Sequence, residues 1–330
     1  MSTPPPPGVY VPAVLFFDEN EEFDVPAIKQ HVLRLARGGV TGILVQGSNG
    51  EAQYLSREER KTAIALTRQT LNEGGFENVI IIAGTGAQST RETKAFNEDA
   101  KDAGATFALV LTPSTWPKAM TIDNIIRFHT EATNDPHLSL QVADASPIPT
   151  MIYNFPGVTG GLDLDSDIIY TLSKHPNIVG TKLSCGNIGK LQRLTSRLAP
   201  SEFAIYSGRS DTFVHGLNAG SAGVIAALVN IAPRVHVDVV RMWREGGEER
   251  EKAMELQAML GHADWASSAV GGIGGIKAVV ARHFGYGAKE GWVRGPLQPA
   301  NPAKLQEDNL SYKILVDLVS LEKAGNGLPN

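Results

Sequence analysis

Short runs of apolar, often β-branched residues recur along the chain, each followed by a longer stretch with apolar positions every three or four residues. The short runs are Val9–Phe16, Gly42–Gln46, Val79–Ala83, Phe107–Leu111, Thr150–Tyr153, Ile178–Leu183, Phe203–Tyr206 and Gly223–Ala227. Several are apolar on both faces, as parallel strands are when helices cover the sheet. The intervening Val25–Arg37, Ser56–Leu71, Arg91–Ala103 and Asp165–Lys174 have helical spacing, and Ser56-Arg57-Glu58-Glu59 is a capping-box start. Eight strand–helix repeats predict an α/β fold, a (β/α)8 TIM barrel. An open doubly wound sheet fits less well, because Val14–Asn20 lacks a glycine-rich phosphate turn. Past the eighth strand, Pro233–Arg244, Glu248–Ser268, Gly275–His283 and Lys304–Lys323 also read as helices, more than a barrel needs. The predicted organisation is a proline-rich leader over 1–8, the barrel over 9–245, and a C-terminal helical extension over 246–330 packed on it as one structural unit.

A chain of 330 residues suits one such barrel, and 42% hydrophobic against 20% charged residues predicts a packed globule. The net charge of −5 offers no electrostatic case for nucleic acid. No apolar run approaches the ~20 residues of a membrane span. Cys185 is the only cysteine, which excludes an intrachain disulfide and suits a reducing compartment. The N-terminus has neither a secretory h-region nor an Arg-rich transit character, so a cytoplasmic location is expected.

Three segments carry candidate chemistry. Ile178-Val179-Gly180-Thr181-Lys182-Leu183 places a lysine near the end of a strand, where barrel enzymes keep their sites. Burial there disfavours an ammonium and favours the amine that attacks a carbonyl; a rim lysine with its charge in water fits the same segment. Gly47-Ser48-Asn49-Gly50-Glu51 follows the second strand, and its glycines let the backbone turn and offer amides to an anion, with Ser48 and Asn49 adding side-chain donors. A plain turn is the other reading, and Glu51 reads as a brace. Met151-Ile152-Tyr153-Asn154-Phe155-Pro156-Gly157 sets a phenol at the end of the fifth strand, beside the sixth, so Tyr153 and Lys182 are expected at one mouth. A structural hydrogen bond of a half-buried tyrosine is the alternative.

Together these segments resemble the N-acetylneuraminate lyase and dihydrodipicolinate synthase superfamily of class I aldolases over nearly the whole chain. Further matching segments are Ala83-Gly84-Thr85-Gly86, Leu111-Thr112-Pro113, Tyr206-Ser207-Gly208 and Gly223-Val224-Ile225. The resemblance implies a Schiff-base Lys182, a proton-shuttling Tyr153, a carboxylate cradle at Gly47, Ser48 and Asn49, and a pocket lined through backbone by Gly208 and Ile225. It implies pyruvate and an aldehyde as partners, no cofactor and no metal, and a homo-oligomer, dimer or tetramer. Two departures narrow it. Val158 stands where synthases carry an arginine for the second substrate's carboxylate, which points away from that condensation. Ser114-Thr115-Trp116 stands where they read Tyr-Tyr, so their inter-subunit tyrosine relay is not carried over. Ser48-Asn49 in place of Thr-Thr resembles the 4-hydroxy-2-oxoglutarate aldolases and the fungal 2-keto-3-deoxy-sugar-acid aldolases. The ranked expectation is reversible cleavage of a 2-keto-3-deoxy sugar acid such as 2-keto-3-deoxy-L-galactonate, then of 4-hydroxy-2-oxoglutarate, then the synthase-type condensation. The aldehyde half is expected among loops around Thr115, Val158, Cys185, Arg209 and Ser210.

Other classes fit less well. The histidines are scattered without close pairs, so metal-dependent aldol chemistry lacks a ligand set, and His215 reads as packing. Asp211 reads as a cap of the following helix, and Arg209 as either a contact to a distal substrate group or a salt bridge. Gly271-Gly272-Ile273-Gly274-Gly275 lacks a preceding strand and a P-loop lysine, which leaves helix packing or a flexible turn. Trp243 and Trp265 read as core or interface, and Cys185 as inert. A non-catalytic 2-oxo-acid sensor shares the fold, but the pairing of Lys182 with Tyr153 favours an enzyme.

Overall fold

Strands β1 (Gly8–Pro12), β2 (Gly42–Val45), β3 (Ile80–Gly84), β4 (Phe107–Leu111), β5 (Thr150–Asn154), β6 (Ile178–Leu183), β7 (Ala204–Ser207) and β8 (Gly223–Ile225) pair in sequence order, all parallel, and β1 closes on β8. The computed structural model describes residues 2–130 and 142–325; residue 1 of the leader and 326–330 of the extension lie outside these. The two-sided apolar runs are explained by two cores. Tyr10, Leu44, Ile82, Leu109, Met151 and Tyr206 fill the barrel interior. Val11, Ile43, Ile81, Ile152 and Ile205 face the helices.

The helices are α1 (Val25–Arg37), α2 (Arg57–Glu73), α3 (Thr90–Asp102), α4 (Ile122–His129), α5 (Val142–Ala145), α6 (Ser166–Leu172), α7 (Ile188–Thr195), α8 (Phe213–Asn218), α9 (Pro233–Glu245), α10 (Gly247–Ala269), α11 (Gly272–Phe284) and α12 (Leu310–Ala324). The capping box at α2 is formed: the Glu59 amide donates to Ser56 Oγ at 3.2 Å and the Ser56 amide to Glu59 at 2.7 Å. Helix α10 packs between α9 and α12. Strand β1 stops at Pro12, short of the predicted Phe16, because the Val14 amide leaves the ladder and donates to Asn230 Oδ1 at 3.0 Å. Helix α12 starts at Leu310, where Asn309 caps the Tyr312 amide, and 302–305 forms a separate 3-10 turn. Helix α11 starts earlier than predicted, at Gly272. Its glycines serve packing, since a Cβ on Gly274 would lie 3.0 Å from the Gln298 carbonyl oxygen.

One irregularity decides which way the candidate nucleophile points. Thr150 pairs with Ile178, but Met151 pairs with Gly180, so Val179 is an extra residue in β6. Ile178 packs on the outer layer, and strict alternation from it would send Lys182 outward too. The bulge shifts the phase, so Lys182 pairs with inward-facing Tyr153 while Leu183 joins the outer core. Gly180 permits it, because a Cβ there would lie 2.5 Å from the Ala204 carbonyl oxygen.

The opposite end of the barrel is sealed by the leader. Tyr10 Oη donates to the Pro6 carbonyl at 2.7 Å, and Tyr206 Oη lies 2.9 Å from the Pro5 and Pro6 carbonyls. Prolines offer acceptors without donors, which satisfies buried phenols directly.

Three buried histidines add a pH dependence. His31 Nε2 donates to Asn230 Oδ1 at 2.9 Å, and its Nδ1 accepts from Tyr286 Oη at 2.8 Å, which fixes a neutral ring. Burial lowers His31 and His129 to about 3 and His236 to about 4. Below the ordinary histidine value the unfolded chain binds protons that the folded chain refuses, so stability is full above that value and falls as pH drops toward those folded values. Between about pH 7 and about pH 5 each histidine should remove roughly 2 kcal/mol. Urea unfolding across this range should show the loss, and a flat profile would refute it.

Candidate active site

Strands β5 and β6 present Tyr153 and Lys182 at one register position, and Lys182 Nζ donates to Tyr153 Oη at 3.3 Å. Nζ also lies 4.3 Å from the centre of the Tyr153 ring. Lys182 is 3% exposed and Tyr153 5%. The neighbouring Asn154 faces outward, donating to Asp163 at 2.8 Å and accepting from the Leu164 amide at 3.0 Å, which ties down the loop after β5.

A cavity of about 360 Å³ is lined by Tyr153 of this pair. Gly47 and Ser48 after β2, Gly84 at the end of β3, Tyr153 within β5 and Val158 after it contribute to its wall. Within the 47–51 turn the Gly50 and Ala52 amides bond the Gly47 carbonyl and the Glu51 amide bonds the Ser48 carbonyl, leaving the Ser48 and Asn49 amides outside this internal set. Two left-handed residues, Gln46 (φ 51°) and Glu51 (φ 54°), frame the turn. A Cβ at Gly84 would overlap the Gln46 carbonyl, so the neighbouring strand must carry glycine there.

Glu51 is a brace. Its carboxylate pairs with Lys277 of α11 and accepts from the Arg294 amide at 2.8 Å, and both side chains of the pair are buried. Lys277 also donates to the Trp292 carbonyl at 2.8 Å. Burial pulls Lys277 down to about 8, opposed by the Glu51 charge. Arg294 binds Glu59 and the Tyr54 carbonyl, so the C-terminal extension clamps the turn from two sides.

Of the residues expected at the site, Gly47, Ser48 and Tyr153 line the cavity, whereas Lys182 is not among the lining residues and reaches the site through its hydrogen bond to Tyr153. Asn49, Gly208 and Ile225 stand outside the cavity wall. Ile225 is spent on the interior core with Tyr10 and Tyr206, and Gly208 presses on Ser184, whose atoms a Cβ would overlap. Of the expected loops, Val158 and Ser114 line the wall. Thr115 is held by Gln88, whose Oε1 accepts from its amide and hydroxyl, each at 2.8 Å. Ser210 bonds His236, and Arg209 pairs with Asp211 and Asp264, a salt bridge. Asp211 therefore does not cap α8, whose N-cap is Thr212, with no side-chain capping bond. Trp265 is exposed, and His215 is exposed as well.

Sequence patterns missed Gln46, Gln88, Ile273 and Leu297, which also line the cavity. Gln46 had a signal: a polar residue ending an otherwise apolar strand run. Ile273 and Leu297 come from the extension, with no local cue. Among the described residues no group of three or more His, Cys, Asp or Glu could hold a metal, and no helix is long and apolar enough to cross a membrane. An amine, an adjacent phenol and an amide-lined turn can together bind a 2-oxo acid, convert its carbonyl to an iminium and move a proton.

The Dihydrodipicolinate synthetase family matches residues 5–310. A protein of Emericella nidulans named 4-hydroxy-2-oxoglutarate aldolase, mitochondrial, is 46% identical over 281 residues, 85% of this chain and 86% of that protein. An L-threo-3-deoxy-hexylosonate aldolase of Aspergillus niger is 38% identical, covering 98% of each chain. The crystal structure of a dihydrodipicolinate synthase family protein from Coccidioides immitis superposes with a TM-score of 0.82 at 34% identity, covering 97% of both chains.

Proposed function

This chain belongs to the dihydrodipicolinate synthetase family and is a carbon–carbon lyase, and we propose that it is a Schiff-base aldolase that reversibly cleaves a 2-keto-3-deoxy sugar acid, such as 2-keto-3-deoxy-L-galactonate, to pyruvate and an aldehyde. The Lys182 to Tyr153 contact beneath the cavity carries the mechanism. The wall carries the substrate class: Gln46, Gln53, Gln88 and Ser114 line it together with Glu51, whose carboxylate is taken up by Lys277, and among the described residues no Lys, Arg or His does. Uncharged amides and hydroxyls suit a polyhydroxylated aldehyde half, whereas a second carboxylate calls for a cation. A second reading, cleavage of 4-hydroxy-2-oxoglutarate, draws on the name of the Emericella nidulans relative.

In this mechanism the 47–49 turn holds the substrate carboxylate while the Lys182 amine attacks C2. Tyr153 donates its proton to the carbinolamine hydroxyl, which leaves as water, and the iminium forms. The resulting phenolate takes the proton of the C4 hydroxyl, the C3–C4 pair flows into the iminium, and the aldehyde departs. The phenol then protonates C3 of the enamine, and water, deprotonated by the phenolate, releases pyruvate and the free amine. The lysine nitrogen is the electron sink, so the reaction calls for no cofactor.

Borohydride reduction in the presence of pyruvate should add a pyruvyl mass to Lys182, and a panel of aldehydes with pyruvate should favour polyhydroxylated ones. No adduct at any pyruvate concentration would favour a sensor instead. Tyr153→Phe should still form the trapped adduct yet cleave on the order of 10²- to 10⁴-fold more slowly; an unchanged rate would remove Tyr153 from the mechanism. The same reading includes a homo-oligomer, supported by the exposed Trp116 and Ile122 beside the mouth, and a cytosolic location, supported by the lone free Cys185. Sedimentation and cell fractionation test these, the latter against the mitochondrial wording of the relative's name.

A further inference from the structure

We propose that Gln46 is a specificity-determining residue whose Oε1 accepts a hydrogen bond from a hydroxyl of the aldehyde half beyond C4. This rests on the sugar-acid reading above and names the residue that would enforce it.

Gln46 is 2% exposed and lines the same cavity as Ser48 and Tyr153. Its Oε1 is buried and has no hydrogen-bond partner. Buried carbonyl oxygens are almost always paired, so an unpaired one on a side chain that lines the cavity fits a donor brought by a ligand. The backbone holds it there firmly: Gln46 has a left-handed φ of 51°, and its own carbonyl is pressed on Gly84. Strand β2 lies four positions from β6 in the closed ring, so Gln46 faces Lys182 across the mouth. A substrate bonded to Lys182 is thereby held against the Gln46 wall.

The chemistry of an acceptor selects the donor. A carboxylate and a 2-oxo group bring no O–H to Oε1. The C4 hydroxyl has one proton, and the mechanism sends it to Tyr153. What remains is a hydroxyl farther along, which a sugar acid carries and 4-hydroxy-2-oxoglutarate does not. A site that hydrogen-bonds a substrate hydroxyl discriminates strongly against analogues lacking it.

The test compares Gln46→Met, which keeps an unbranched chain of similar length, with the unaltered protein. Gln46→Ala serves if the methionine variant does not fold. For both, kcat/KM is measured on 2-keto-3-deoxy-L-galactonate and on 4-hydroxy-2-oxoglutarate, alongside borohydride trapping with pyruvate and the melting temperature. The expected result is a fall of about 10- to 100-fold on the sugar acid. Cleavage of 4-hydroxy-2-oxoglutarate and pyruvate trapping should stay within about threefold, and the melting temperature should hold or rise because an unpaired carbonyl is removed. Equal losses on both substrates would overturn the inference by assigning Gln46 to the shared 2-oxo-acid end, and no loss on either would assign it only a bound water. If the unaltered protein neither traps pyruvate nor cleaves the sugar acid, the aldolase reading itself fails, a result distinct from both.

Discussion

Lys182→Ala should lower kcat on the order of 10⁵-fold or more and abolish the borohydride adduct, while the protein remains folded. The magnitude follows from the role: without the amine no iminium forms, and no other group beside the cavity can accept the electron pair of the breaking bond. The expectation of folding rests on the contacts. Among the described residues, Lys182 Nζ is hydrogen-bonded to Tyr153 and pairs with no carboxylate, so its removal strands no buried anion. Pyruvate release followed in a coupled assay, with intact-mass analysis after reduction, reads both effects. A variant that keeps a rate within tenfold, or an adduct at another lysine, would end the Schiff-base assignment.

Lys277→Met should cost about 3–5 kcal/mol of stability, far more than a surface substitution. Lys277 and Glu51 are both buried, and deleting one partner leaves a carboxylate with only the Arg294 amide to compensate it. Replacing both partners, Lys277→Met with Glu51→Gln, should recover much of the loss, because no uncompensated charge remains. Guanidinium unfolding of the two single variants and the double variant measures the coupling directly. Since Glu51 closes the turn that carries Ser48, the single variant should also raise KM for the 2-oxo acid. Equal unfolding midpoints for Lys277→Met and the unaltered protein would show that the pair is not a brace.

Much of this architecture is readable without coordinates. The two periodicities, alternate and three-to-four, are local, and they mark the strands, the helices and the Ser56 capping box because each rests on neighbours a few residues away. Placing Tyr153 beside Lys182 needed only the rule that successive barrel strands adjoin. The errors lie where a distant partner intervenes. Asp211 looks like a cap, but the Arg209 guanidinium, held in turn by half-buried Asp264 from α10, draws it into an ion pair.

By itself the sequence determined the barrel, the chemistry-bearing residue types and their places at strand ends, because these follow from local pattern and chain order. Only the tertiary structure decided that Lys182 points inward, since the bulge at Val179 appears in the pairing of β5 with β6 and not in the residues of β6. Only it joined Glu51 to Lys277 and set Ile273 and Leu297 over the mouth, contacts closed across more than two hundred residues that no local periodicity records. And only it showed Gln46 buried with an unpaired acceptor, because whether a polar group is satisfied depends on everything packed around it.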